Sequence, residues 1–317
     1  MKVFLTRELP EIAFRLLKKN KIPFDCYEKD SPIPRKRLLK EVQSCDGLVC
    51  LLTEQIDKEV FDKMKRCKVV ANYAVGFNNI DVEYAKQKGI IVTNTPDVLT
   101  ESTADLTMAL VLACARRLTE GQKFLKAKKY KTWKPGLLLG TELKDKTLGI
   151  IGAGRIGTAV SIRAKAFGTN IIYHSLQRNT YLEKKTGAKK VTLNFLLKHA
   201  DIISIHLPLN KETYHYFDSK KLQLVKQDSI LINTSRGELI DEKYLIKYLE
   251  DGKFSSVGLD VFENEPDINP ELLKFTNVLI LPHMGSATNE ARSGMAELAV
   301  RNVINVLKNK PPLTPVT

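Results

Sequence analysis

Residues 148–157 read LGIIGAGRIG, an apolar run from Leu148 to Ile151 followed by Gly152, Gly154 and Gly157 in G-x-G-x-x-G spacing. A short aliphatic run closed by glycines reads as a buried strand turning into a helix. In such a loop the first glycine permits the tight turn and the second lets a ligand approach the backbone. The third lets the following helix lie close to the sheet. A helix entered through Arg155 and Ile156 offers unpaired N–H groups and a partial positive charge, which suits a pyrophosphate. The stretch is therefore read as a dinucleotide-binding loop.

Working outward, the strand and helix alternation continues downstream. Further strands are expected at Asn170–Tyr173, Ile202–Leu207, Ile230–Asn233, Ser256–Leu259 and Val278–Leu281. With the first, that makes the six of a complete Rossmann domain. Upstream, strands are expected at Val3–Leu5, Phe24–Tyr27, Leu48–Leu52, Val69–Ala74 and Ile90–Asn94. Helices near Glu11–Lys18, Arg35–Val42, Lys58–Met64 and Val82–Lys88 separate them. Strands in alternation with helices imply a parallel sheet covered on both faces. Thr100–Leu118 reads as one long helix, apolar on most sides and so buried in a core or between subunits. Asn289–Leu307 is helical again.

The expected fold class is α/β, with two doubly wound parallel-sheet domains. A Rossmann dinucleotide-binding domain (99–288) is inserted into a flavodoxin-like substrate domain (1–98 and 289–317). The chain crossings near Pro96–Leu99 and Ala287–Asn289 would form a two-strand hinge, and ligands often bind beside one.

Composition narrows the function classes. The 317 residues hold 50 Lys and Arg against 36 Asp and Glu, a net charge of +14. The basic residues are spread from Lys2 to Lys310, with only short groups such as Lys126, Lys128, Lys129 and Lys131, which speaks against nucleic acid and for steering of anionic ligands. No apolar run is long enough to span a bilayer, and the N-terminus lacks the pattern of a signal peptide. Cys26, Cys45, Cys50, Cys67 and Cys114 show no paired spacing, as expected of free thiols in the cytoplasm. No metal site is expected.

The strand expected at Asn170–Tyr173 runs on into His174, Ser175, Leu176, Gln177 and Arg178, with no Asp or Glu between Gly157 and Glu183. An acidic side chain there would hold the ribose 2′-OH of NAD. Ser175 stands in its place and Arg178 is near enough to meet a 2′-phosphate, so NADP(H) is favoured over NAD(H). An exposed arginine with relaxed cofactor choice is the competing reading.

Ligands of open α/β sheets gather at the carboxyl ends of the strands. The expected strands lead there into Leu207 and Pro208, into Thr234, Ser235 and Arg236, into Asp260 with Glu265 beyond it, and into His283. Reduction of a 2-oxo acid needs a cation to grip the carboxylate, which an arginine fork supplies. It needs an acid for the developing alkoxide, which suits histidine. It needs a carboxylate to orient that histidine and favour its charged form. Arg236, His283 and Glu265 are the candidates. Each alone is as readily a structural residue, and the expectation rests on the three together.

At these residues the chain resembles the D-isomer-specific 2-hydroxyacid dehydrogenase family, over essentially its whole length. LINTSRGELID, VGLDVFENEP and LILPHMGSAT are similar to that family's catalytic blocks, NYAVGFNNID to its substrate-carboxylate loop, and TPDVLTESTADLTMALVLACARRL to its interface helix. The resemblance implies that Arg236 binds substrate and that Glu265 and His283 form an acid–base pair. The Val75 and Gly76 amides would hold the carboxylate, and Leu51 would line the substrate. Asp260 would bind the nicotinamide carboxamide, while Leu207, Pro208, Thr213, Thr234 and Ser235 would line the cofactor, with Thr103 a further contact.

VCLLTEQIDKEVF, VVANYAVGFNNIDVEYA and TWKPGLLLGTEL resemble the glyoxylate/hydroxypyruvate reductase branch. That likeness implies a homodimer in which Trp133 reaches the neighbouring substrate pocket or serves only as an interface anchor. With the chain stopping at Thr317, no added regulatory domain is expected. Two alternatives remain open here: an NAD-linked dehydrogenase for a bulkier D-2-hydroxy acid, and a dinucleotide-sensing, corepressor-like binding protein.

Overall fold

A computed structural model describes residues 1–316. The chain divides into two compact units, Met1–Leu99 with Ser286–Thr317, and Thr100–Gly285.

The first unit alternates β1 (Val3–Leu5), α1 (Glu11–Lys19), β2 (Phe24–Cys26), α2 (Arg35–Glu41), β3 (Gly47–Cys50), α3 (Lys58–Lys63), β4 (Val69–Asn72), α4 (Val82–Gln87) and β5 (Ile91–Thr93). The five strands are parallel in the order β2-β1-β3-β4-β5, the flavodoxin-like arrangement. Strands β1, β3 and β4 are buried at every position, which is why, up to Asn72 at the end of β4, they are apolar rather than alternating. Leu38, Val60, Phe61 and Ala85 of α2, α3 and α4 close one face over Phe4, Leu48 and Val70.

The second unit opens with α5 (Thr100–Ala115) and α6 (Leu118–Lys126). Next come β6 (Thr147–Ile151), α7 (Arg155–Ala166), β7 (Asn170–His174), α8 (Thr180–Thr186) and β8 (Lys189–Lys190). The run continues with α9 (Leu193–His199), β9 (Ile202–Ile205), α10 (Ser219–Leu224) and β10 (Ser229–Asn233). It ends with α11 (Glu242–Glu250), β11 (Phe254–Leu259) and β12 (Val278–Ile280). Seven parallel strands follow the order β12-β11-β10-β9-β6-β7-β8, doubly wound about β6. Alternate side chains along the strands feed two cores. Ile150, Ile230 and Ile232 join α5 and α7 on one face, and Ile151, Ile203 and Leu231 join α9 and α11 on the other.

The chain then returns to the first unit as α12 (Asn289–Leu307), which packs on α1, β3 and β4. Buried Asn302 holds the tail behind it, accepting from the Leu313 and Thr314 amides at 2.7 and 3.0 Å.

Two expectations need correction. The sheet of the second unit has a seventh strand, β8, which consists of two exposed lysines and carries no apolar signal. The helix expected at Thr100–Leu118 ends at Ala115, and Arg117 takes a left-handed φ of 53° before α6 starts. The returning chain caps that end, since the Thr141 amide donates to the Ala115 carbonyl at 2.8 Å. The new direction is held by Arg117, which donates to Glu120 through Nε at 3.0 Å.

Candidate active site

The direction of winding reverses between β6 and β9, so the chain leaves the two neighbouring strands on opposite faces and opens a crevice at their carboxyl ends. The glycine loop lies there. Gly152 has φ +95°, and a Cβ on it would sit 2.4 Å from the His206 carbonyl oxygen, so no other residue fits. A Cβ on Gly157 would lie 2.3 Å from the Gly152 carbonyl, which is how closely α7 approaches the loop. At Gly154, the N-cap of α7, a Cβ would meet nothing within 4 Å. The amides that open α7, at Arg155 and Ile156, begin beside that space, the arrangement that a phosphate group needs.

Beyond β7, His174, Ser175 and Leu176 line a pocket of about 660 Å³ with Lys190, Val191, Thr192 and Phe195. Such a volume suits the adenosine end of a dinucleotide. Among the described residues no carboxylate lines it. Arg178, expected to meet a 2′-phosphate, instead pairs with Glu183 at 2.8 Å and is outside the lining. That pairing, with the Tyr173 hydroxyl, holds the Glu183 carboxyl below its ordinary range. The cation in the lining is Lys190, whose Nζ donates to the Leu176 carbonyl at 2.9 Å. Asn179 was not foreseen. Its Nδ2 donates to Ala153 O at 2.8 Å and to Thr158 Oγ1 at 2.9 Å, so α8 is tied to the glycine loop.

Leu207 and Pro208 follow β9, and Thr213 Oγ1 donates back to the Pro208 carbonyl at 2.7 Å, closing that turn. After β10, Asn233 shapes the next loop from both sides. Its Oδ1 accepts the Ser235 amide at 3.0 Å, and its Nδ2 donates to the Arg236 carbonyl at 2.7 Å. Thr234 is held by α5, with its hydroxyl 2.9 Å from that of Thr107. Arg236 thus leaves the sheet in extended backbone with one Nη1 bond to the Ser235 carbonyl at 2.7 Å. Burial lowers its affinity for the proton, while the nearby Glu238 and Glu265 carboxylates work in the opposite sense.

Glu265 and His283 meet: Oε2 lies 2.7 Å from Nδ1. Glu265 Oε1 also accepts the Phe262 amide at 3.2 Å, which curls its loop. His283 is left-handed at φ 50°, an unusual conformation for a residue with a Cβ. Asp260 imposes it. The Asp260 carbonyl accepts the His283 amide at 2.9 Å. Its carboxylate, fully buried, accepts the Met284 and Gly285 amides at 2.8 and 2.7 Å. Burial pushes that carboxyl up and the two amides draw it back. Thr103 Oγ1 completes the turn with a 3.2 Å bond to the Gly285 carbonyl. Expected as a cofactor contact, Asp260 already serves as the frame of the histidine.

Of the remaining expected residues, Trp133 is 73% exposed in this single chain, beyond an α6 that buries none of its side chains. Leu51, Val75 and Gly76 belong to the first unit. The Leu51 amide donates to buried Glu54 at 2.7 Å, and Asn94 and Asn72 donate to the Val75 and Gly76 carbonyls, each at 2.8 Å. Among the described residues no helix is long and apolar enough to cross a membrane, and no cluster of His, Cys, Asp and Glu is placed to hold a metal ion.

Comparison with known proteins matches residues 108–285 to the family model described as D-isomer specific 2-hydroxyacid dehydrogenase, NAD binding domain. The chain is 48% identical over 315 residues to a glyoxylate reductase of Thermococcus litoralis, covering 98% of this chain and 95% of that one. The solved structure of the TT0316 protein from Thermus thermophilus superposes with a TM-score of 0.93 at 41% identity, over all of both chains. An NADPH-dependent glyoxylate/hydroxypyruvate reductase from Sinorhizobium meliloti, in complex with NADP and malonate, superposes with a TM-score of 0.87 at 29% identity, over 100% of this chain and 96% of that one. The matched model spans the glycine loop, and the cofactor is a nicotinamide dinucleotide. The chain belongs to the family of D-isomer specific 2-hydroxyacid dehydrogenases.

Proposed function

We propose that this chain reduces a short 2-oxo acid, glyoxylate or hydroxypyruvate, to its 2-hydroxy acid, with NADPH preferred over NADH. The observation that carries the reading is the 2.7 Å contact between His283 and Glu265, in the unit that holds the glycine loop. Glyoxylate reductases among the relatives support the substrate class.

A reduced nicotinamide dinucleotide held at the glycine loop would supply the hydride. Arg236 grips the substrate carboxylate and polarises the adjacent carbonyl, its planar fork matching both oxygens. Glu265 takes the hydrogen bond of His283 Nδ1–H, which leaves Nε2 to hold the proton destined for the carbonyl oxygen. Hydride on carbon and proton on oxygen complete the alcohol. The Val75 and Gly76 amides serve as carboxylate donors, and Leu51 lines the substrate. Asp260 adds a nicotinamide contact to its structural one, since each of its oxygens has a second lone pair.

The NADPH preference is supported by the pocket beyond β7, which presents Ser175 and Lys190 and no carboxylate. Arg178 would have to leave Glu183 to join them. A homodimer is supported by Leu118, Leu125, Tyr130, Trp133 and Leu139, all exposed in the single chain.

Steady-state rates with NADPH and NADH against glyoxylate, hydroxypyruvate and a bulkier 2-oxo acid test the reading. The expected result is highest kcat/KM for a short acid with NADPH, and a selective loss of NADPH affinity in Lys190→Ala. Preference for the bulkier acid, or for NADH, contradicts it.

A further inference from the structure

Glu265 is carried on the turn from Asp260 to Pro266, and its own hydrogen bonds do not account for how that turn is held. Its anchor is Glu263, two residues earlier in the chain. The Glu263 amide donates to buried Glu242 at 2.5 Å, and its carboxylate Oε1 lies 2.7 Å from His215 Nε2. The other nitrogen of the same ring, Nδ1, is 3.5 Å from Asp241 Oδ2. His215 therefore stands between two carboxylates, one on the turn that carries Glu265 and one at the N-terminus of α11.

His215 is itself fixed on every side. Its amide donates to the Glu238 carbonyl at 2.7 Å, and its ring stacks on Tyr214 with centroids 4.1 Å apart. The chain after it docks by a bond from the Phe217 amide to the Leu239 carbonyl at 2.9 Å. The segment it pins also touches the arginine loop. A Cβ on Gly237, the residue after Arg236, would lie 2.0 Å from the Phe262 carbonyl carbon and 2.4 Å from the Glu263 nitrogen. The two loops are thus in backbone contact, so a shift of the Phe262–Glu263 peptide moves the mount of Glu265 and presses on that of Arg236. The charged groups facing His215 are Asp241 and Glu263, with Glu242 and Glu238 behind them. The Arg236 guanidinium acts on Glu238, not on the two carboxylates that face the ring.

We propose that His215 is a positioning residue for Glu265: by bridging Asp241 and Glu263 it holds the Phe262–Glu265 turn in the register at which Glu265 meets His283. This rests on the acid–base reading above. His215 touches neither substrate nor cofactor in this account, and its effect is on the geometry of the pair.

The test uses the full chain with NADPH and glyoxylate, comparing His215→Ala, His215→Gln, Glu263→Ala and Glu265→Gln. In His215→Ala, kcat should fall about tenfold to a hundredfold, the scale of a catalytic group displaced by about an ångström. The dissociation constant of NADPH, read by its fluorescence, should stay unchanged. The midpoint of the pH–kcat profile should move to lower pH, because a loosened Glu265 supports the imidazolium less. His215→Gln, whose amide can still donate to Glu263, should recover most of kcat. Glu263→Ala removes the acceptor from the turn and should reproduce the loss even where His215→Ala does not fold. Wild-type kcat in a folded His215→Ala or Glu263→Ala, beside an impaired Glu265→Gln, overturns the proposal and leaves the acid–base reading standing. A fall in kcat with an unmoved pH midpoint overturns it as well, marking a merely structural role. Wild-type turnover in Glu265→Gln overturns both.

Discussion

Two loops at the carboxyl ends of the second sheet reach their shapes by opposite means. The glycine loop, 152–157, is built by the absence of side chains: a Cβ at Gly152 would sit 2.4 Å from a carbonyl oxygen, and one at Gly157 2.3 Å. The loops that carry Glu265 and His283 are built by carboxylates. Glu242 accepts one backbone amide, Asp260 accepts two, and Glu263 takes a histidine. The first kind of loop admits no side chain at its two tight glycines, and one side-chain bond, from Asn179, ties it to α8. The second depends on its acceptors, and its parts come from positions far apart in the chain. Binding of a phosphate needs a fixed backbone, whereas proton transfer needs side chains aimed at each other, and under the proposed function each loop is stiff in the respect its role requires.

The sharpest way to separate the two is His283→Ala. Steady-state kcat for 2-oxo acid reduction should fall by about 10²–10⁴, the range for removing a general acid, while dinucleotide affinity by fluorescence titration changes less than about twofold. A parallel loss of cofactor affinity would mean the two loops do not act separately. Gly152→Ala should do the reverse, weakening dinucleotide binding and costing about 1–3 kcal/mol of stability from the strained φ and the clash with His206. Asp260→Asn keeps the shape of its side chain but sets an NH₂ against one of two amide donors, at a cost of about 1–3 kcal/mol. Thermal unfolding should register that cost, with kcat falling more than dinucleotide affinity.

The smallest effect is expected beside the pocket that follows β7. Arg178 holds Glu183 below its ordinary range. A depressed carboxylate stabilises the fold above its unfolded value, about 4.3, and that contribution is lost as pH falls through the folded one. Arg178→Ala should therefore flatten the acid limb of Tm against pH, by an amount that shrinks with added salt because the arginine is exposed. An unchanged acid limb would show the pair contributes nothing.

Much of this was readable in the amino-acid order, and the contrast between the loops explains what was not. The strands of both sheets announce themselves as apolar runs because they are buried on both faces, and the glycine loop because its constraint is local. Strand ends likewise single out Arg236, Asp260 and His283. Their supports are not legible. That Asp260 frames His283, or that Asn233 and Asn179 knit loops together, depends on hydrogen bonds between segments 21 or more residues apart or on turns with no compositional mark. Strand β8 escaped because two lysines pairing with Ile172 and Tyr173 look like surface. The break at Arg117 escaped because its cause is the chain returning at Thr141. The pairing of Arg178 with Glu183 escaped because it depends on how α8 leaves the strand end.

The account's central claim is that Glu265 acts through His283, and a double-mutant cycle addresses it most directly. The kcat for glyoxylate reduction would be measured for Glu265→Gln, His283→Ala and the double variant. Groups that work as one unit lose little more together than the worse of them loses alone, so the double variant should match His283→Ala. Multiplicative losses would contradict the account, because they would show the two side chains contributing independently despite the contact between them.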